Sequence, residues 1–404
     1  MQIDTRPEDV GLSSPRLSRI GGWMRRWVDS GRLPGLVVAV VRDDRLAWIE
    51  TCGRRDVEAG LPVVPDTVYR MYSMTKPITT VAALMLYEEG CFQLDDPIAS
   101  YIPAFSETRV FAGGNADGFD TESLERPITV HDLMTHTSGL TYAFQDEHPV
   151  DALYRRHGIE FNANLGPLAD LVEATAAQPL AFQPGTRWRY GVSTDVLGRL
   201  VEIWSGLSLD AFLAERIFTP LGMTDTGFHV PEGKRGRFAS NYTRPEGGGL
   251  ALVDSASESR FLEPAATLSG GGGLVSTAAD YLRFTRMLRG RGTLGGTRVL
   301  GRKTVEHMTG NQLPGDLADM GQPRFSETAF TGVGFGLGVS VMLDPAKARI
   351  VGSPGEYAWG GVASTAFWVD PAEDLIVLLL TQLSPSSTYP IRRELRVLTY
   401  QALL

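Results

Sequence analysis

Apolar and polar positions along this chain follow two rhythms. Over residues 13–31 the apolar side chains Leu17, Ile20, Met24, Trp27 and Val28 recur near every third or fourth position. That spacing predicts an amphipathic helix, with Pro15 near its start and Gly31 past its end. Residues 36–41 and 46–51 are short apolar runs around the polar Arg42-Asp43-Asp44-Arg45, predicting an antiparallel hairpin whose first strand is buried on both faces. Strand-like runs return at 334–343, 363–369 and 375–383, the last two joined by the turn 370–374, before a closing helix over 391–404.

The middle keeps a different period. From 74 to about 218 the pattern is mostly helical, broken by Gly- and Pro-rich connections at 113–118, 164–167 and 183–185. Strands on both flanks with helices between them predict an antiparallel sheet assembled from residues 1–72 and 265–404, and a mostly helical region, 73–264, inserted into it. Segments 245–250 and 313–325 read as loops, and no internal repeat is visible. The run Gly270–Gly273 lacks the Gly-Lys-Ser/Thr ending of a phosphate loop and reads as a tight turn, with Thr277 capping a helix over 278–288.

Composition narrows the function classes. With 38 Lys and Arg against 47 Asp and Glu, the 404-residue chain has a net charge of −9, the wrong sign for a nucleic-acid binder. Its longest apolar runs, six residues each, fall far short of the roughly 18 a membrane helix needs. Residues 1–9 are polar and acidic where a secretory leader is basic and then apolar, which predicts a cytoplasmic protein. Cys52 and Cys91 are too few for a disulfide framework and read as small buried side chains. The histidines form no metal-binding pattern, so neither metal nor cofactor is expected.

Candidate chemistry starts at Ser73-Met74-Thr75-Lys76-Pro77, at the head of an apolar helix stopped by Gly90. Ser-x-x-Lys at a helix start places an amine one turn from a hydroxyl, on the same face. A desolvated amine can lose its proton near neutral pH and accept the serine's. The chain has only four lysines beside 34 arginines, and arginine cannot accept that proton. Ser73 also reads as an N-cap.

Further blocks join the motif: Tyr190 before an apparent helix in 182–198, the pair Gly360-Gly361 at the apparent start of a strand in 355–365, Thr135-His136-Thr137-Ser138-Gly139 in 127–140, and 269–280. In this order, spread over about 35–383, they resemble the serine β-lactamase and penicillin-binding-protein superfamily, most closely class C β-lactamases and family VIII carboxylesterases. The resemblance implies a β-lactamase-like two-lobed α/β (α+β) fold with the site in the cleft. It implies Ser73 as acylated nucleophile, Lys76 and Tyr190 as the proton-handling pair, and the backbone N–H groups of Ser73 and Val362 as the oxyanion hole. A Tyr–Lys pair is physically sensible, because lysine's charge favours tyrosinate.

Two departures shift the expected substrate. Where the lactamase pattern has Tyr-x-Asn, this chain has Tyr190-Gly191-Val192; where it has Lys-Thr-Gly, this chain has Trp359-Gly360-Gly361. Losing an amide at Val192 and a cation at Trp359 favours neutral acyl esters over anionic antibiotics, with Trp359, Gly360, Gly361 and Val192 lining the substrate site. The expected activity is a carboxylesterase acting on short acyl esters, with acyl transfer through the same intermediate or weak β-lactamase or D-aminoacyl peptidase activity as alternatives, and a non-catalytic scaffold or sensor as the rival of another class. No serine lies in Gly-x-Ser-x-Gly, so an α/β-hydrolase elbow is absent. A Ser138 site with His136 or His131 is a weaker rival, and His136 is expected to bond locally and shape its loop.

Overall fold

The computed structural model describes residues 1–161, 163–325 and 328–404. The first helix, α1 (Ser14–Asp29), buries Leu17, Ile20, Trp23, Met24 and Trp27 on one stripe. The hairpin β1 (Gly35–Arg42) and β2 (Arg45–Asp56) follows, then a two-residue strand, β3 (Leu61–Pro62). The middle contributes α2 (Thr75–Glu88), a hairpin of β4 (Val110–Asn115) and β5 (Gly118–Glu122), α3 (Val130–Thr135), α4 (Ser193–Ser205) and α5 (Ala278–Arg289). After it come β6 (Val333–Phe335), β7 (Ser340–Met342), β8 (Tyr357–Gly360), β9 (Ala366–Asp370), β10 (Leu375–Thr381) and α6 (Ile391–Tyr400).

Eight strands make one antiparallel sheet in the order β6-β7-β8-β9-β10-β1-β2-β3. Its centre is the pairing of β1 with β10, Val37 opposite Leu380 and Val41 opposite Ile376. Because side chains alternate across a strand, these two strands feed separate cores. Val37, Ala39, Val41, Ile376, Leu378 and Leu380 pack with α2 and α5, whereas Leu36, Val38, Val40, Val377 and Leu379 pack with α1 and α6. A one-residue slip would exchange the two sets, and the unequal helical layers fix the register. Glu394 of α6 clips the outer layer together by accepting the indole N–H groups of Trp23 at 2.6 Å and Trp27 at 2.9 Å.

Sheet and helices thus match the expected mixed architecture, and several local expectations are corrected. The run 334–343 is a tight hairpin, β6 and β7, because Gly338 turns the chain at φ +75° and Gly336 passes too close to the Met308 carbonyl for any side chain. The 113–118 connection lies within the β4–β5 hairpin. Gly360-Gly361 ends a strand, β8, instead of starting one. Cys52 and Cys91 are partly exposed free thiols. No described helix is long and apolar enough to cross a membrane.

The clip makes a stability prediction. Glu394→Ala leaves two indole donors without their acceptor and is expected to cost about 2 kcal/mol, read as a lower urea midpoint at unchanged slope. A midpoint equal to the wild type's would show that the clip contributes nothing.

Candidate active site

Ser73 sits on a shelf prepared by backbone pairing. Tyr69-Arg70 pairs antiparallel with Val275-Ser276, and the Met71 N–H donates to the Leu274 carbonyl at 2.9 Å. Tyr72 then turns the chain with φ +46°, a left-handed conformation rare for a bulky residue. A single 3-10 turn, Tyr72–Met74, carries Ser73 into α2. Ser73 makes no capping bond, so the N-cap reading is corrected; its side chain hydrogen-bonds with Tyr190 and lines the main cavity.

Lys76, one turn on, is 1% exposed. Its Nζ donates to the Tyr142 hydroxyl at 2.9 Å and the Gly271 carbonyl at 2.8 Å, and lies 4.5 Å from the centroid of the Tyr190 ring. Burial pushes the amine down to about 7, with the Asp195 carboxylate opposing. Asp195, on the first turn of α4, is wholly buried; Ser269 Oγ donates to its Oδ1 at 2.5 Å and the Gly271 N–H at 3.1 Å, while its Oδ2 finds no hydrogen-bond partner among the described residues. Burial raises the Asp195 carboxyl above its usual range, and Lys76 pulls it the other way.

The glycine run makes this packing possible. A Cβ on Gly270 would stand 2.7 Å from the Thr194 carbonyl oxygen, and one on Gly271 would stand 2.5 Å from Asp195 Oδ2 and 2.9 Å from the Tyr142 hydroxyl. The expected tight turn and the Thr277 cap are both present, but the turn also supplies Lys76 with an acceptor. Tyr142, Asp195 and Gly271 were missed by the sequence reading. Asp195 left one signal, an acid in the first turn of the helix after Tyr190; Tyr142 left none, because only tertiary packing brings it to Lys76.

Tyr190 is buried, which pushes its phenol well up, while hydrogen bonding with Ser73 and with the Trp359 indole favours the ionised form. Its ring stands 5.6 Å from Trp359 and 6.0 Å from Trp188, and Phe335 closes the set at 5.3 Å from Trp359 and 5.5 Å from Trp188. His136 packs on this ring of rings, 4.9 Å from Tyr190. Its imidazole nitrogens have no hydrogen-bond partner among the described residues, and burial drives it neutral. The expectation that its side chain bonds locally is therefore corrected; the loop is shaped by its backbone, left-handed at φ +57°, whose carbonyl accepts from the Arg189 N–H. Ser138 is no rival nucleophile: it is fully buried and paired with Ser193 Oγ at 2.9 Å.

A cavity of about 570 Å³ opens over Ser73 and is lined by Tyr190, Trp359, Gly360, Gly361 and Val362 among others. Val192 is fully buried and absent from its wall; its N–H donates to the Thr141 carbonyl. A Cβ on Gly361 would stand 2.5 Å from the Met71 carbonyl oxygen, so only glycine lets the end of β8 pass this close to the Ser73 shelf. The Gly361 N–H is spent on the Thr365 carbonyl. The expected loss of a cation beside Trp359 is also corrected: Arg392 and Arg393 of α6 line the cavity, Arg392 donating to the Gly361 and Thr365 carbonyls.

The fold agrees with comparisons to known proteins. The profile of the Beta-lactamase family matches residues 21–401. The chain is 39% identical to Protein Rv1367c of Mycobacterium tuberculosis over 90% of its length and 89% of that protein's. It is 35% identical to Esterase EstB of Burkholderia gladioli, covering 87% of this chain and 86% of EstB. Among solved structures, EstCE1, described as a hydrolase with promiscuous acyltransferase activity, superposes with a TM-score of 0.79 at 29% identity, covering 96% of this chain and 99% of EstCE1.

The electrostatics yield a reactivity test. Labelling of Ser73 by a fluorophosphonate is expected to rise with pH through about 7, as the Lys76 amine loses its proton. Asp195 favours the ammonium, so Asp195→Asn should move that midpoint to lower pH; a shift upward would mean that the carboxylate does not act on Lys76 as its position implies.

Proposed function

The chain belongs to the Beta-lactamase family of serine hydrolases, and on that premise we propose that it is a carboxylesterase acting on small-molecule acyl esters through a Ser73 acyl-enzyme. The observation that carries this reading is the amine of Lys76, buried one turn from Ser73 and held by neutral acceptors beneath an open cavity. We assign Ser73 as nucleophile, Lys76 and Tyr190 as the proton-handling pair, and the N–H groups of Ser73 and Val362 as donors to the oxyanion. Trp359, Gly360 and Gly361 form the substrate wall. We likewise assign two lobes, 1–72 with 265–404 and 73–264, with the site between them. The free thiols Cys52 and Cys91 suit a reducing compartment, supporting a cytoplasmic location.

In this scheme Ser73 Oγ attacks the ester carbonyl as its proton passes to the Lys76/Tyr190 pair. The carbonyl oxygen gains negative charge between the two N–H groups, whose fixed orientation needs no rearrangement. Collapse breaks the bond to the alkoxide, which leaves as the alcohol with the proton the pair had taken. Water then attacks the acyl-enzyme, giving its proton to the same pair; the C–Oγ bond breaks, Oγ recovers the proton, and the acid departs. An alcohol replacing water in the second half gives acyl transfer, a reading favoured by the largely apolar wall of the cavity and in keeping with the description of EstCE1.

Two kinds of measurement, on variants and on specificity, test the proposal. Ser73→Ala should abolish turnover of p-nitrophenyl butyrate and fluorophosphonate labelling, whereas activity within tenfold of wild type would place the nucleophile elsewhere. Lys76→Ala and Tyr190→Phe should each cost about a thousandfold in rate, and the double variant little more than either, because groups in one relay are non-additive. Losses that multiply would mean two independent roles. Specificity offers the second: with Trp359 at the wall, no amide from Val192 and Arg392 engaged by two carbonyls, kcat/KM for p-nitrophenyl butyrate should exceed that for nitrocefin by about a hundredfold or more. Comparable values would move the protein toward the β-lactamases.

A further inference from the structure

One stretch of the cavity wall is built from the rings of Tyr72, Phe144 and Phe161 and is backed by Tyr142, whose hydroxyl accepts from Lys76. Phe144 lies nearly parallel to Tyr142, at 5.0 Å and 22°. Phe161 stands perpendicular to all the others: 89° to Tyr72 at 5.8 Å, 90° to Tyr142 at 6.2 Å and 81° to Phe144 at 6.1 Å. The result is a right-angled corner of two ring planes. Phe144 is 51% exposed, and of the large apolar side chains left exposed among the described residues it alone lines this cavity.

An exposed ring on a cavity wall is apolar surface awaiting cover, and the corner discriminates among the groups that could cover it. A flat ring entering it can lie offset on the open face of Phe144 while meeting Phe161 edge-on, the two arrangements that aromatic quadrupoles favour. A saturated ring of the same size gains contact area but neither electrostatic term. We propose that this corner is a subsite for an aromatic group adjoining the scissile ester, so that the preferred substrates are arylalkyl esters. The proposal rests on the ester-hydrolase reading for the word ester alone; the corner itself follows from the rings.

Matched pairs that differ only in ring saturation test it, and they separate the two sides of the ester. Benzyl acetate against cyclohexylmethyl acetate reports a ring on the alcohol side; methyl phenylacetate against methyl cyclohexylacetate reports one on the acyl side. The wild-type enzyme should favour the aromatic member of one pair by about tenfold in kcat/KM. Phe144→Leu, which keeps apolar bulk and removes the ring, should bring that ratio near one, and Phe144→Trp should retain it. Ser73 inactivation by phenylmethanesulfonyl fluoride against cyclohexylmethanesulfonyl fluoride, followed by mass spectrometry, gives the same comparison without an ester. If no ester is turned over while Ser73 is sulfonylated with the ring preference, the ester reading fails and the subsite stands. Equal rates within every matched pair, or a preference that Phe144→Leu leaves intact, overturns the subsite.

Discussion

Removing the Lys76 amine from water costs several kcal/mol unless polar groups offset it, and much of the architecture around residue 76 supplies that offset. The Gly271 carbonyl and the Tyr142 hydroxyl accept its hydrogens, and the Asp195 carboxylate lies close enough to favour its charge. These groups come from three segments far apart in sequence. The Gly271 carbonyl and the Tyr142 hydroxyl must come within hydrogen-bonding range of the same α2 turn, with Asp195 near enough to act through its charge, so α2, α4 and the glycine turn before α5 converge on a single amine. The balance leaves Lys76 near 7, where a small change in surroundings decides whether it holds a proton.

Close backbone approach is the second requirement, and it explains where glycine appears. Gly270 and Gly271 let the turn lie against α4, and Gly361 lets the end of β8 pass the Met71 carbonyl. Tyr72 contributes differently. Its left-handed backbone is a conformation that costs a bulky residue of order 1 kcal/mol or more, accepted where it aims Ser73 into the cavity. Around Tyr190, the rings of Trp188, Phe335 and Trp359 and a neutral imidazole make a packed wall, so the phenol has little room to turn away from Ser73.

What could be read from the chain and what could not divides along physical lines. Ser73, Lys76 and Tyr190 were legible because short motifs carry them, and α1, β1, β2 and β10 because their periods are strong. The β6–β7 hairpin was hidden because an apolar run interrupted by Gly336 and Gly338 scans as one strand. Val192 was assigned to the substrate wall from its place in a motif, yet helix α4 turns it into the core. Tyr142 and Arg392 reach the site through tertiary contact alone, and no local pattern announces such residues. Arg392 matters most here: α6 brings a guanidinium to the cavity wall, where the Gly361 and Thr365 carbonyls hold it.

The central pairing of the sheet sets an order of events during synthesis. Val37 pairs with Leu380, so the middle of the sheet cannot close until a ribosome has delivered nearly the whole sequence. The segments that hold Lys76 lie between those strands and are free to condense early, whereas Trp359 to Val362 arrive with the late strands. A nascent chain therefore carries its serine and lysine for most of translation without the β8 edge that completes the cavity. The cavity therefore takes its final shape only when the last strands of the sheet have been delivered.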